Sequence, residues 1–509
     1  MNRSASGDTS DTGLPHDEHE PTTKASDAKR SALGAARELL ASAVITYGGE
    51  PVGTVAAVGG EEHLNYRECF TRDFAVSAAA ALSRGDTVIV RNFLRLLSGL
   101  QARTHTLDCF EPGEGLMPAS FCVAREGDTE AVVADFGQRA IASVAPVDAA
   151  LWWLLTLRAH GRSSGDDTLA EEPSVRAAIE RICNLYLAPR FETTPALLVP
   201  DGAYAVDRRL GVYGHPLDVQ VLLFGALRAA RDLLPYDHEL QKPVWKRLTL
   251  LAHHVRTHYW LDDERLNVIY RRGVEEFGSG RANRFNIYAD TIPTWVMKWM
   301  QESRGYFIGN LGPARMDFRF FSIGNLLSVT TGLATAAQTR TLLDTIRAHR
   351  DDLLGQVPMK LVFPAVKGKL WRWTTGSDPK NVAWSYHNGG NWPWLTWLLA
   401  GAARHGGNDD LELARSALAS SATRLHRDDW PEYYDGPNGG LLGRQARLRQ
   451  TWSAAGLLAA DALLHDPEAD DPFAFPFDQE LEDDIVDLAE DPERLEQRSH
   501  RSKPLADEA

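Results

Sequence analysis

The chain has 509 residues, of which 44% are hydrophobic and 24% are charged, as is typical of soluble globular proteins. These values exclude a collagen-like, a disulfide-dense and a wholly disordered protein. The formal net charge is −15, but residues 466–509 carry most of it, with 16 acidic and 4 basic side chains. The rest of the chain is nearly neutral, so nothing favours nucleic acid or an anionic membrane as a partner.

The first 30 residues are rich in Ser, Thr, Asp, Glu and Pro. We predict that residues 1–30 form a disordered polar tail. They lack the apolar core of a secretion signal, and their acidic residues argue against a transit peptide. The four cysteines form no CxxC pair, and no apolar run is long enough to span a membrane. We therefore expect reduced thiols and a cytoplasmic protein.

From Ser31 onward, apolar residues recur at helical spacing, whereas strand-like alternation is scarce. The clearest strand-like run is Leu266–Tyr270, which we predict to belong to a small hairpin. The predicted helices lie, in chain order, at 31–40, 74–84, 87–101, 148–160, 174–188, 217–234, 241–258, 323–335, 338–352, 392–404, 409–425 and 452–464.

These helices are of two kinds. Val219–Leu227 and Trp392–Ala403 are apolar on nearly every side and must be covered all round, whereas 338–352 is amphipathic. Buried and half-exposed helices suit concentric layers. We predict an all-α (α/α)6 barrel, a six-hairpin toroid, over residues 31–465, followed by an acidic, disordered tail at 466–509. An α-solenoid scaffold is the alternative, but no 34- or 40-residue repeat supports it.

Several of the apolar helices follow loops rich in acidic and aromatic residues, Gly and Pro. In a barrel of alternating helices, the N-terminal ends of the inner helices share one mouth, so these loops should converge on one pocket. Carboxylates, amides and aromatic faces together suit a neutral polyhydroxylated ligand. Two carboxyl groups can hydrolyse a glycosidic bond without a cofactor. Signatures of zinc, nucleotide and serine-hydrolase sites are absent from the sequence, so we predict no metal and no cofactor.

The loop motifs resemble those of the alkaline and neutral invertases, glycoside hydrolase family 100. The matching motifs are Tyr66–Phe74, Gly113–Phe121, Asp135–Gly137, Pro146–Asp148, Asp207–Gly214, Phe307–Asn310, Pro313–Arg319, Asp378–Asn381, Ser385–Gly390, Trp430–Gly436 and Gln450–Trp452. The resemblance implies an (α/α)6 barrel that hydrolyses sucrose, a small-molecule substrate, to glucose and fructose. It also implies a tendency to form homo-oligomers, for which no residue of the sequence identifies an interface.

The resemblance also implies the roles of individual residues. Carried over onto this chain, the general acid is Asp207 and the second catalytic carboxylate is Glu432. In an inverting mechanism, Asp207 would protonate the leaving oxygen while Glu432 activates water. The candidate substrate-binding residues are Tyr66, Arg72, Asp73, Asp148, His387, Trp392, Trp430, Arg444 and Gln445.

Each candidate also has a purely structural interpretation. Asp207 and Asp148 could cap helices, and Glu432 could be a carboxylate of a surface turn. Arg72 and Asp73 could form a structural ion pair. Core packing remains open for three aromatic candidates, His387, Trp392 and Trp430. Contact with a partner subunit remains open for two polar ones, Arg444 and Gln445.

The sequence departs from the family pattern beside three motifs. Ala149 and Ala150 stand where Ser-Gly is usual, His215 stands where Tyr is usual, and Asn391 stands where Ser is usual. These departures leave open a hydrolase of another small glucoside, such as trehalose or a glucosylated osmolyte. A non-catalytic sugar-binding or scaffold protein is a further alternative, against which the intact carboxylate pair argues.

Overall fold

The computed structural model describes residues 20–59, 64–104, 113–139, 144–188, 195–199, 202–206, 210, 212–271, 291–300, 304–312, 315–466 and 470–490. Its helices are α1 (Glu20–Ser42), α2 (Thr71–Leu82), α3 (Val88–Leu100), α4 (Ala149–Ser164), α5 (Thr168–Glu171), α6 (Pro173–Tyr186), α7 (Leu217–Leu233), α8 (Gln241–His258), α9 (Asp263–Arg271), α10 (Thr294–Trp299), α11 (Ser322–Thr330), α12 (Ala336–Ala348), α13 (Arg350–Leu353), α14 (Gly368–Thr375), α15 (Leu395–Ala403), α16 (Asn408–Arg427), α17 (Thr451–His465) and α18 (Gln479–Glu490). Its strands are β1 (Val44–Tyr47), β2 (Glu50–Thr54), β3 (Cys69–Phe70), β4 (Ser120–Glu126), β5 (Thr129–Asp135), β6 (His215–Pro216), β7 (Trp260–Asp262), β8 (Gly305–Gly312), β9 (Arg315–Phe321), β10 (Val362–Phe363), β11 (Tyr434–Asp435) and β12 (Leu441–Leu442).

Six inner helices pack in a cyclic order. Each of α2, α4, α7, α11, α15 and α17 contacts the next in that order, and α17 contacts α2. Every residue of α15 is buried, as its nearly uniform apolar composition requires. The outer helices α1, α3, α6, α8, α12 and α16 alternate with the inner ones along the chain. The prediction of a helix-rich fold is confirmed, and every predicted helix corresponds to an observed one.

The fold also contains strands that the sequence analysis did not predict. β4 and β5 form an antiparallel hairpin that turns at Gly127 and Asp128, and β3 pairs with β4 through Cys69 and Phe121. A larger antiparallel sheet has the order β10-β9-β8-β6, with β7 also paired to β8. The prediction of an all-α fold is therefore correct for the helical layers and incomplete for the connections between them.

The predicted hairpin strand at Leu266–Tyr270 is wrong, because these residues lie in helix α9. Leu266 and Ile269 are buried, whereas Val268 and Tyr270 are exposed. Buried positions three residues apart share one helix face, and a strand would have buried alternate residues. The Asp262 carboxylate accepts a hydrogen bond from the Arg265 backbone N–H and so supports the start of the helix.

Both predicted tails include ordered residues. Helix α1 begins at Glu20, well before the predicted start at Ser31, and Pro21 in its first turn suits a helix N-terminus. At the other end, residues 470–490, which we call the C-terminal strap, pack against the body of the protein. The apolar residues of α18 follow helical spacing within an acidic sequence, and Leu481, Ile485 and Leu488 are all buried. Helical structure thus extends beyond residues 31 and 465, the predicted limits of the domain.

Two further properties concern only the residues that the structure describes. Within them, no helix is long and apolar enough to cross a membrane. The cysteines among them carry free thiols: Cys69 and Cys183 are buried, and Cys122 is half-buried. Cys109 lies outside the described residues.

Candidate active site

A cavity of about 170 Å³ lies at the N-terminal ends of several inner helices. Arg72 and Asp73 belong to the first turn of α2, Asp148 immediately precedes α4, and Trp452 lies in the first turn of α17. The structure brings seven of the predicted site residues to this cavity: Tyr66, Arg72, Asp73, Asp148, His387, Trp392 and Glu432.

One wall of the cavity is a buried cluster of carboxyl groups around Arg72. The Arg72 guanidinium donates a hydrogen bond to the Asp148 carboxylate over 3.3 Å and lies 3.5 Å from an oxygen of Asp73. Asp148 occupies the N-cap position of α4, yet its side chain makes no capping hydrogen bond. Burial raises the pKa of Asp148 and, with the nearby Glu432 and Asp148 charges, raises the pKa of Asp73 to about 6, although Arg72 opposes both shifts. Arg72 therefore holds two carboxyl groups that also face the cavity.

Glu432 lies in the loop between α16 and α17, and only 5% of it is exposed. Its backbone N–H donates to the Arg447 carbonyl over 2.8 Å, and its Oε2 accepts from the Arg447 N–H over 3.5 Å. The Nζ atom of Lys380 is 3.8 Å from the same Oε2. Burial and the charge of Glu432 raise the pKa of Tyr66 well above its usual range. Glu432 is thus a buried carboxyl on the cavity wall and not part of an exposed turn.

An aromatic wall completes this side of the cavity. The ring of His387 stacks on Tyr386 with centroids 3.9 Å apart, and Trp392 stacks on Tyr433 at 5.4 Å. The Trp392 indole N–H donates to the Tyr386 carbonyl over 3.1 Å, which fixes its ring. Trp452 packs edge-on against Trp392. Such faces can cover the C–H surface of a sugar while carboxylates bind its hydroxyls.

Three predicted site residues lie outside the cavity lining. Trp430 is 4% exposed, and its backbone carbonyl accepts a hydrogen bond from the Gln450 N–H. Arg444 and Gln445 are exposed on the loop that follows β12. The Arg444 N–H donates to the Asp435 carboxylate over 2.8 Å. The structure therefore places Trp430 in the interior beside the lining residue Gln450 and leaves the roles of all three residues as predictions.

The predicted general acid Asp207 lies outside the described residues. The preceding residues Ala203–Ala205 line the cavity, and Val206 is buried. The chain is therefore at the cavity wall two residues before Asp207.

The sequence analysis missed a second ionic cluster on the cavity wall. Arg139 lies 3.1 Å from an oxygen of Glu68 and 3.8 Å from an oxygen of Asp135. Ser120 donates to the other Glu68 oxygen over 2.5 Å, and burial raises the pKa of Glu68. The β4–β5 hairpin carries Ser120 and Asp135 to this position. The hairpin could have been predicted from the alternation of apolar and polar residues on both sides of the Gly127-Asp128 pair.

Of the departures from the family pattern, Ala149 lines the cavity. Asn391 instead donates from its side-chain amide to the backbone carbonyls of Leu354 and Val357. The His215 ring lies 3.3 Å from the Leu311 carbonyl. Neither of the latter two is among the lining residues, so Ala149 is the departure placed to touch a ligand.

The cavity combines aromatic faces with two ionic clusters, in each of which one arginine is paired with two carboxyl groups. This set can bind a neutral sugar and provides a buried carboxyl, Glu432, that can act as an acid or a base. Among the described residues, no group of three or more His, Cys, Asp or Glu side chains is arranged to hold a metal ion.

Comparisons with known proteins agree with this chemistry. The family model described as alkaline and neutral invertase matches residues 36–467. Alkaline/neutral invertase C, mitochondrial, from Arabidopsis thaliana is 47% identical over 85% of this chain and 66% of its own length. Probable alkaline/neutral invertase F from the same plant is 44% identical over 84% of this chain and 87% of its own. Cytosolic invertase 1 from Oryza sativa subsp. japonica is 45% identical over 86% of this chain and 78% of its own.

Solved structures show the same fold at low sequence identity. A wild-type glycosidase is 15% identical with a TM-score of 0.51, over 89% of this chain and 99% of its own. A GH63 mannosylglycerate hydrolase from Thermus thermophilus, in complex with glucose, is 14% identical with a TM-score of 0.50, over 85% and 99%. Because the family match spans most of the sequence and the relatives exceed 40% identity, the chain is a glycoside hydrolase that belongs to the alkaline and neutral invertase family.

Proposed function

We propose that the protein hydrolyses sucrose to glucose and fructose. The observation that carries this proposal is the buried Glu432 on the wall of a cavity built from carboxylates and aromatic faces. The curated relatives are named invertases, which points to sucrose as the substrate. The cyclic order of the inner helices fits the (α/α)6 barrel that we propose for the catalytic body.

In the proposed mechanism, Asp207 is the general acid and Glu432 is the general base. Asp207 protonates the glycosidic oxygen, while Glu432 removes a proton from the water that attacks the opposite face of the glucosyl carbon. Asp73 and Asp148, held by Arg72, accept hydrogen bonds from sugar hydroxyls. The faces of His387 and Trp392 cover the apolar side of the ring.

Proton NMR of fresh mixtures with sucrose tests both the substrate and the stereochemistry. Inversion at the glucosyl carbon produces β-glucose first, whereas initial α-glucose would overturn that step. Glu432→Gln and Asp207→Asn should each lower kcat by several powers of ten, because each removes a proton-transfer group. Glu412→Gln, a change of an exposed glutamate on α16, is the matched control and should leave kcat unchanged. Near wild-type turnover in either active-site variant would contradict the assignment.

A second candidate function is the hydrolysis of another small glucoside, such as trehalose or a glucosylated osmolyte. The observation that favours it is Ala149, which lines the cavity where the family usually has Ser. Alanine lacks the serine hydroxyl, so one hydrogen-bonding partner for a sugar hydroxyl is removed. A panel of disaccharides and glucosides separates the two proposals, since kcat/KM for sucrose should be the largest if sucrose is the substrate.

Two further expectations remain proposals. We propose a cytoplasmic location, and the names of the relatives include cytosolic, mitochondrial and chloroplastic forms. We also propose that the protein forms homo-oligomers. Fractionation of cells and sedimentation of the purified protein, respectively, test these expectations.

A further inference from the structure

Lys380 is the cation paired with the buried carboxyl of Glu432. We propose that Lys380 is a positioning residue, whose ammonium offsets the charge of the Glu432 carboxylate that accepts a proton from water. Lys380 does not line the cavity, so it acts on the reaction through Glu432 and not through the sugar. The inference rests on the proposed function, in which Glu432 is the general base.

The distance between the two groups suits this role. The 3.8 Å between Nζ and Oε2 is short enough for strong attraction and too long for a direct hydrogen bond. The ammonium therefore offsets the negative charge without occupying a lone pair of the carboxylate. The other contact of Oε2, with the backbone N–H of Arg447, is long at 3.5 Å. The carboxylate thus keeps the capacity to accept a proton from water.

The surroundings of Lys380 hold its ammonium at this point. Lys380 lies in a 3-10 turn, Pro379–Asn381, where its backbone N–H donates to the Asp378 carboxylate over 2.9 Å. Its Nζ lies 3.9 Å from the centroid of the Tyr386 ring, within the range of a cation–π interaction. Only 15% of the side chain is exposed. Without these contacts, the long lysine side chain would be flexible and its ammonium would not stay beside Glu432.

The other groups that face Glu432 include a second carboxyl and two tyrosine hydroxyls. The carboxyl of Asp73 repels negative charge on Glu432, and the hydroxyls of Tyr66 and Tyr433 are buried close by. The guanidinium of Arg447 is engaged by Tyr66, to which it is hydrogen-bonded. Among the described residues, Lys380 is the cation that the structure pairs with Glu432.

The pH dependence of kcat/KM for the full-length Lys380→Met variant tests the proposal. The acid limb of the profile should move to higher pH by about 1 unit or more, the size of effect expected when an opposite charge at this distance is removed. Activity on the alkaline plateau should stay within about threefold of the wild type, and KM should change little, because sugar contacts are intact. Lys380→Arg should restore the wild-type limb. Lys369→Met, a change of an exposed lysine on α14, is the matched control.

Other results would overturn the proposal. A Lys380→Met profile that coincides with that of the wild type would do so, as would an equal loss at every pH together with a raised KM. The thermal melting of each variant is measured in parallel, and if Lys380→Met does not fold, Lys380→Gln replaces it in the same comparison. In the Glu432→Gln background, Lys380→Met should cause no further loss, since the group on which it acts is gone.

The same data separate this inference from the proposed function. An active Glu432→Gln variant would refute the role of Glu432 and, with it, that of Lys380. An inactive Glu432→Gln variant beside an unshifted Lys380→Met profile would refute the role of Lys380 alone. If sucrose is not hydrolysed but another glucoside is, the same profiles are recorded with that glucoside.

Discussion

Phe475 anchors the C-terminal strap to the end of the inner helices opposite the cavity. Phe475 is 4% exposed, and two guanidinium groups lie over its ring, with Arg158 at 3.7 Å and Arg228 at 4.8 Å from the ring centroid. Its backbone N–H donates to the carbonyl of Thr330 at the end of α11. Phe477, two residues further on, is 67% exposed. Phe475→Ala and Phe477→Ala therefore remove the same ring from a buried and from an exposed position of one segment.

The expected loss follows from the contacts of the ring. Burial of a phenylalanine is worth about 3 to 5 kcal/mol against alanine, and each cation–π contact adds about 0.5 kcal/mol or more. Because the strap can detach when the ring is lost, we expect the low end of this sum, about 4 kcal/mol, for Phe475→Ala. The entropy of unfolding grows with chain length by about 2 cal/mol/K per residue, which converts this loss to a fall of about 4 °C in Tm. Phe477→Ala should change Tm by less than about 1 °C.

Calorimetry and limited proteolysis measure this difference. The Phe475→Ala variant should melt earlier and be cleaved within the strap before the body, whereas its kcat/KM should equal that of the wild type because the cavity is at the other end of the inner helices. Equal melting temperatures for the two alanine variants would refute the docking of the strap. They would instead support the disordered tail that the composition of residues 466–509 predicts.

Three further predictions concern pH, charge and backbone. Burial and neighbouring histidines lower the pKa of His254 to about 4, so the folded state binds fewer protons than the unfolded state. The free energy of unfolding should therefore fall as pH drops from about 6.5 to 4. Urea unfolding measures this fall, which should be less steep in His254→Leu. Arg72→Met should cost about 3 kcal/mol or more in unfolding free energy at pH 7 and abolish turnover, because Asp148 remains buried without its cation. Gly137→Ala should lower Tm more than Gly127→Ala, although both glycines have positive φ. A Cβ atom at Gly137 would clash with the backbone carbonyl oxygen of Val144, whereas a Cβ atom at Gly127 would meet no atom. Gly127→Ala therefore costs only the conformational energy of a left-handed alanine, about 1 kcal/mol.

The inner helices and their shared mouth could be predicted because the signals are local. Leu395–Ala403 has one polar residue, Thr396, and such a helix has to be covered on all sides. Asp148 could be placed at a helix start from its position after Pro146. The side of the cavity that these helix ends form could therefore be predicted from the sequence.

The side of the cavity formed by the β4–β5 hairpin could not be predicted from the sequence, because it depends on pairing between distant segments. The ion pair between Glu68 and Arg139 requires β3, β4 and β5 to assemble in one register, with Ser120 opposite both Phe70 and Asp135. A single sequence does not specify such pairing. Lys380 was missed for a related reason, since nothing in the sequence near Glu432 shows which cation would lie beside it.

The acidic composition of the C-terminal strap led to the prediction that it is disordered. The polarity of the helices explains why the strap is acidic. Helix N-termini carry partial positive charge and C-termini partial negative charge. The carboxyl groups of Asp73 and Asp148 lie at N-terminal ends, beside the cavity. Arginines lie towards the C-terminal ends of α4, α7 and α8, and the strap provides acidic partners for them. Arg231 forms an ion pair with Asp478 over 2.9 Å, and Arg256 forms one with Glu482 over 2.6 Å. The acidic composition of the strap is therefore better explained as the complement of this arginine-rich end than as a solubilising tail.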